Sequence, residues 1–87
     1  MIGENLDFEE IEIIKQPTTG QWIKALRILC GYEQSELAKL VGVKQAAISK
    51  WENNSNKPEA KYIEKLAEAL HQDVSRILLI CGWIEKK

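Results

Sequence analysis

Eighty-seven residues suffice for one domain, able to bury about 60–70% of the surface its unfolded chain exposes. An apolar fraction of 45% and a charged fraction of 29% suit a soluble globular chain. No apolar run approaches the roughly 18 residues of a membrane span, and the acidic N-terminus does not read as a secretory signal. The two cysteines, Cys30 and Cys81, fit no zinc spacing. They read as reduced thiols of a cytoplasmic protein. With a single histidine, His71, they leave little material for catalysis, so neither an enzyme nor a metal or cofactor is expected.

The net charge of −1 conceals an uneven distribution. Residues 1–19 carry Glu4, Asp7, Glu9, Glu10 and Glu12 against Lys15. Residues 20–57 carry Lys24, Arg27, Lys39, Lys44, Lys50 and Lys57 against Glu33, Glu36 and Glu52. Residues 58–87 balance. Positive charge therefore gathers in the middle third, either to receive a polyanion or simply to solvate helix faces.

Residues 1–17 read as an acidic arm closed by Pro17. Its Ile11-Glu12-Ile13-Ile14 run is β-branched enough for a short strand, which would need a partner to persist. Three readings stay open for the arm: an unstructured tail, a strand or clasp in a dimer, and a docking segment for another protein or a DNA mimic. Residues 18–87 then read as helical. Thr18 and Gln21 have the form of a capping box. Trp22, Ile23, Leu26, Leu29 and Cys30 follow as one helical stripe. Gly31 is a left-handed terminator.

A second helix spans Gln34 to Val41 and stops at Gly42, which supplies a bend without a Cβ penalty. Only Gly42-Val43-Lys44 separates it from a third, Gln45 to Asn53. Asn54 suits a left-handed end. Pro58 restarts the chain, residues 59–70 repeat as an amphipathic helix, and Asp73 is placed to cap a fifth helix through about Ile80. His71 suits a left-handed helix end. The apolar run Ile77 to Ile80, with Trp83, exceeds what one small core absorbs. Ile77, Leu79, Ile80 and Trp83 read as a dimer interface, with the intrachain core as the alternative.

The third helix is the informative one. Ala47, Ile48 and Trp51 share a core-facing arc. Gln45, Ala46, Ser49, Lys50 and Asn53 share the opposite one. That outer arc carries amides, a hydroxyl and a lysine but no carboxylate, whereas a generic solvent face mixes Glu with Lys. Such a strip can hydrogen-bond base edges without repelling phosphate. Helix, three-residue turn, helix is the helix-turn-helix arrangement.

These residues resemble the phage-repressor and Cro-like helix-turn-helix family, often called Xre-type. The resemblance rests on Ile23-Lys24-x-Leu26-Arg27, Gly31-Tyr32-x-Gln34, Leu37-Ala38, Gly42-Val43-x-Gln45, Ile48-Ser49-x-Trp51-Glu52-Asn53, Pro58, Leu66-Ala67 and Leu70. It implies an all-α fold: a compact five-helix, lambda-repressor-like DNA-binding domain whose third helix lies in the major groove, here preceded by the acidic arm. It implies base contacts for Gln45, Ala46, Ser49 and Lys50, and backbone phosphate contacts for Gln34, for Asn53 and for the loop beyond, including Lys57. Arg27 and Glu52 resemble the family's buried ion pair between helices 1 and 3. Trp22 and Trp51 read as core.

The sequence departs from the pattern where caps are expected. Glu33 and Lys44 stand in place of Ser or Thr, and neither is a short capping side chain. Lys44 is free to meet a phosphate directly, at the cost of fraying helix 3. The reading that follows is a DNA-binding repressor acting as a homodimer on double-stranded DNA, with no membrane role. Its rivals are an antitoxin that binds operator DNA and a toxin or other protein partner, and an interaction module without DNA binding.

Overall fold

The computed structural model describes residues 17–83. The arm, its Ile11–Ile14 run included, lies outside the described residues except for Pro17, and so do residues 84–87.

Among the described residues five α-helices follow one another: α1 Thr19–Leu29, α2 Gln34–Val41, α3 Gln45–Glu52, α4 Ile63–Leu70 and α5 Val74–Ile80. The Thr18 hydroxyl accepts from the Gln21 N–H at 3.1 Å, and the Gln21 amide oxygen accepts from the Thr18 N–H at 2.8 Å. The expected capping box is therefore complete. Gly42 turns left-handed at φ 88°. Asn54 and His71 do the same at φ 65° and φ 59°, as their residue types foretold.

Three local expectations change. The segment before α4 is a 3₁₀ turn, Ala60–Tyr62, and the α-helix begins only at Ile63. Asp73 occupies the first cap position of α5 without a side-chain cap bond. Lys44 likewise contributes no side-chain cap, and the first turn of α3 is closed by backbone instead: the Ala47 N–H reaches the Lys44 carbonyl at 2.9 Å. At α2 the cap is supplied in reverse. The Glu36 carboxylate accepts from the Glu33 N–H at 2.7 Å, with its charge beside the positive end of the helix dipole.

The helices pack as α2 on α3, α1 on α3, α4 on α5 and α2 on α4. Ile23, Leu37, Ile48, Ile63, Leu66, Leu70 and Ile77 fill the centre with no measurable exposure or almost none. Each such side chain contributes about 1.5–3 kcal/mol by leaving water. Ile77 is thereby removed from the expected dimer interface, because the monomer's own core consumes it. Trp22 and Leu29 move the other way. Trp22, expected in the core, and Leu29, on the same apolar stripe, are 37% and 82% exposed, on the flank of α1 away from buried Ile23 and Arg27. An eleven-residue helix buries a narrower arc than its apolar stripe covers.

Gly20 sets how closely α1 meets α3. A Cβ there would stand 2.2 Å from the Glu52 carbonyl oxygen and 2.6 Å from that of Trp51. Only glycine lets the start of α1 rest on the carbonyl end of α3. The Gly20 N–H donates to Asn54 Oδ1 at 2.9 Å, and Asn54 Nδ2 donates to the Thr18 hydroxyl at 3.0 Å. One left-handed asparagine thus ends α3 and ties it to the first turn of α1.

Candidate nucleic-acid interface

The outer arc of α3 lies open as expected. Gln45, Ala46 and Lys50 are exposed and Ser49 is half-buried, while Ile48 and Trp51 turn inward. Glu52, the helix's one carboxylate, is folded beneath this strip rather than along it. Its oxygens accept from Arg27 Nε at 2.6 Å and Nη2 at 3.1 Å. The two side chains are only 10% and 5% exposed. Arg27 Nη1 also donates to the Tyr32 carbonyl at 2.8 Å. The Arg27 pKa is raised above its ordinary value, first by the hydrogen bond to Glu52 and further by that carboxylate's charge, against the cost of burial. The pair between helices 1 and 3 is present, two-pronged and largely buried.

This ion pair extends to the surface through two glutamines, a connection not legible in the sequence. Gln34 Nε2 donates to Glu52 Oε1 at 3.0 Å. Gln45 Nε2 donates to Gln34 Oε1 at 3.3 Å. The chain Arg27–Glu52–Gln34–Gln45 runs from the core to the first turn of α3 and fixes which end of each amide faces outward. Gln34 is therefore half-buried and bonded to its neighbours, where a plain phosphate contact was expected. Gln45 keeps its Oε1, an acceptor, at the exposed start of the helix.

The loop after α3 is wound tightly around its end. The Ser55 and Asn56 N–H groups both reach the Lys50 carbonyl, at 2.9 and 3.3 Å. Asn53 Oδ1 accepts from the Ser55 N–H at 3.2 Å and its hydroxyl at 2.7 Å. Asn53 is thus turned first to its own loop. Lys44, Lys50 and Lys57 line an open groove between the α2–α3 turn and this loop, with Glu59 the lone acid on it. Lys57 Nζ sits 4.0 Å over the Trp83 ring. Trp83 therefore faces the loop, not only the apolar surface assigned to it above. Leu79 is 39% exposed, and the Ile80 carbonyl accepts from the Thr19 hydroxyl at 2.7 Å.

A buried ion pair beneath a helix whose outer face lacks carboxylates, reached across a three-residue turn, defines a helix-turn-helix domain. A profile of the helix-turn-helix family matches residues 23–77. The chain belongs to that family, in its Xre-type branch.

Among individual relatives, the chain is similar to the antitoxin HipB of Escherichia coli O6:H1, strain CFT073. The two are 37% identical over 65 residues, covering 74% of this chain and 69% of that protein. Its fold matches the P22 c2 repressor solved in complex with a synthetic operator, at TM-score 0.68 and 31% identity, covering 74% of this chain and 97% of the other. It also matches the biofilm regulator SinR solved in complex with DNA, at TM-score 0.64 and 35% identity, covering 70% and 98%. Among the described residues no helix is long and apolar enough to cross a membrane.

Proposed function

We propose that this protein is a sequence-specific DNA-binding regulator of transcription, acting as a repressor. The observation that carries the reading is the exposed, carboxylate-free arc of α3 with Gln45 braced from behind by Gln34 and the buried Glu52. A braced amide presents one face to a base edge and loses little freedom on binding. Glutamine suits adenine, whose N6 and N7 it can meet together. In this reading Gln45, Ala46, Ser49 and Lys50 meet bases. Lys44, Asn53 and Lys57 meet phosphates, and Gln34 does so with whatever its two amide bonds leave free.

The protein acts in the cytoplasm as a homodimer on an inverted repeat, with its two α3 helices about one DNA turn, roughly 34 Å, apart. Val74 and Leu79, both partly exposed on α5, supply the dimer contact with Ile80. Selection of bound duplexes from a random pool tests the reading. A symmetric site with half-sites about 10–10.5 base pairs apart is expected. Gln45→Ala should relax one position per half-site at a cost of about 1–3 kcal/mol. A pool in which no sequence is enriched refutes it.

The similarity to HipB favours a second role, an antitoxin that also binds a toxin. Co-purification of a small partner protein with the full chain, in stoichiometric amount, is the expected result under that reading.

A further inference from the structure

The chain folds back on itself after α5. Gly82 turns left-handed at φ 79°, and Trp83 then reaches the loop that follows α3. Its indole N–H donates to the Pro58 carbonyl at 2.9 Å. The face of the same ring carries Lys57 Nζ at 4.0 Å. Pro58 is fully buried, so the loop is pinned by its proline and by the indole at adjoining residues. A Cβ on Gly82 would come to 3.9 Å from Lys57 Nζ, so the ammonium lies over the turn as well as over the ring. Lys57 remains exposed, which leaves the side of the ammonium away from the ring free for an anion.

Lys57 shares its groove with Lys44 and Lys50. A free lysine gives up much rotamer freedom when it meets a phosphate, and one already resting on an aromatic face gives up less. Indole is the best of the side-chain rings for holding a cation. The lysine is thus placed beside the reading helix before any duplex arrives.

We propose that Trp83 is a positioning residue for DNA binding, which holds Lys57, in the loop before Pro58, in the pose that meets backbone phosphate. This rests on the DNA-binding reading above and adds to it a residue from outside the helix-turn-helix.

The test is fluorescence anisotropy of the full chain on a selected duplex from about 50 to 200 mM salt. Lys57→Met removes one phosphate contact, so the slope of log affinity against log salt falls by about 0.9. Trp83→Ala leaves the charge count intact, so it keeps the slope and weakens binding about three- to tenfold. Trp83→Phe, which keeps a ring face, restores most of that loss. In the Lys57→Met background Trp83→Ala changes affinity less than about twofold, because its effect passes through the lysine.

A Trp83→Ala loss that persists undiminished in that background overturns the proposal, and so does tighter binding by Trp83→Ala. An unchanged salt slope in Lys57→Met overturns it too. A wild-type chain that binds no duplex refutes the DNA reading, and the proposal with it. NMR of the DNA-free protein separates the two failures. Upfield ring-current shifts of the Lys57 ε-protons, lost in Trp83→Ala, report the pair itself and show whether it forms in solution.

Discussion

Replacing Glu52 with glutamine isolates the one element that serves fold and site together. The change keeps the side chain's shape and removes the negative charge facing an arginine side chain that is 10% exposed. Arg27 has no neutral form to fall back on, since its pKa is held above the ordinary value. A buried charge stripped of its partner costs about 3–5 kcal/mol. Here the Tyr32 carbonyl still accepts from Arg27 Nη1, and the new amide oxygen still accepts one bond, so the lower end, about 3 kcal/mol, is expected. Domains of this size have about 5–15 kcal/mol in total, and each kcal/mol moves their melting point by about 4–8 °C. The melting point should therefore fall by roughly 12–24 °C, followed by circular dichroism at 222 nm and checked by urea unfolding with an unchanged m-value.

A second arm separates charge from packing. The double substitution Arg27→Met with Glu52→Leu removes both ions and should recover most of the lost stability, because burying a charge pair repays its desolvation poorly. It also deletes the acceptor for Gln34, so operator affinity should stay reduced while stability returns. Arg27's raised pKa contributes stability that is complete below the ordinary range of an arginine and is lost only as pH rises through the raised folded value. No stability change between pH 5 and 9 is therefore expected from this arginine. A Glu52→Gln protein that melts within about 3 °C of the parent would refute this reasoning. A double mutant as unstable as the two single losses added together would refute it equally.

Three further outcomes follow from the packing. Gln34→Ala leaves the Arg27–Glu52 pair intact, so stability should change by under about 1 kcal/mol, while loss of the brace on Gln45 should cost about fivefold in operator affinity by anisotropy. Gly20→Ala drives a methyl group into the carbonyl end of α3 and should destabilise by about 1–3 kcal/mol or more, read as a lower urea midpoint. Burial pushes the Cys81 thiol up from 9.0 to about 11, against a smaller opposing pull from the Lys57 charge. The folded state then holds the thiol proton more tightly than the unfolded chain, so stability contributed by the neutral thiol is intact below pH 9 and is lost as pH rises through 11. Denaturant midpoints should show a loss of about 2–3 kcal/mol across that window, and Cys81→Ala should abolish that share of the slope.

Legibility in the sequence tracked the separation of the partners. The Thr18–Gln21 box spans three residues, and its reciprocal bonds are implied by residue type alone. The left-handed ends at Gly42, Asn54 and His71 follow from which residues tolerate that backbone. The outer arc of α3 was readable because it is a property of one helix.

Contacts between distant segments left no such trace. Asn54 reaches Gly20 across 34 residues and Thr18 across 36, and nothing in an asparagine announces two bonds to another helix. The glutamine chain from Glu52 to Gln45 was equally hidden, because amides carry no sign of which neighbour they choose. Trp22 and Ile77 depart from expectation for a related reason. Periodicity reports that a face is apolar, and only the neighbouring helices decide how far burial extends around it.

The two sides of α3 answer to different demands. Ile48, Trp51 and Glu52 secure the helix from within, while Ala46, Ser49 and Lys50 take no part in that anchorage, and Gln45 joins it through a single 3.3 Å bond. On the DNA-binding reading proposed above, exchanging the outward residues should therefore redirect the protein to another duplex sequence without loosening the scaffold that presents them. A lineage built on this frame can diversify its targets by a few codons at a time.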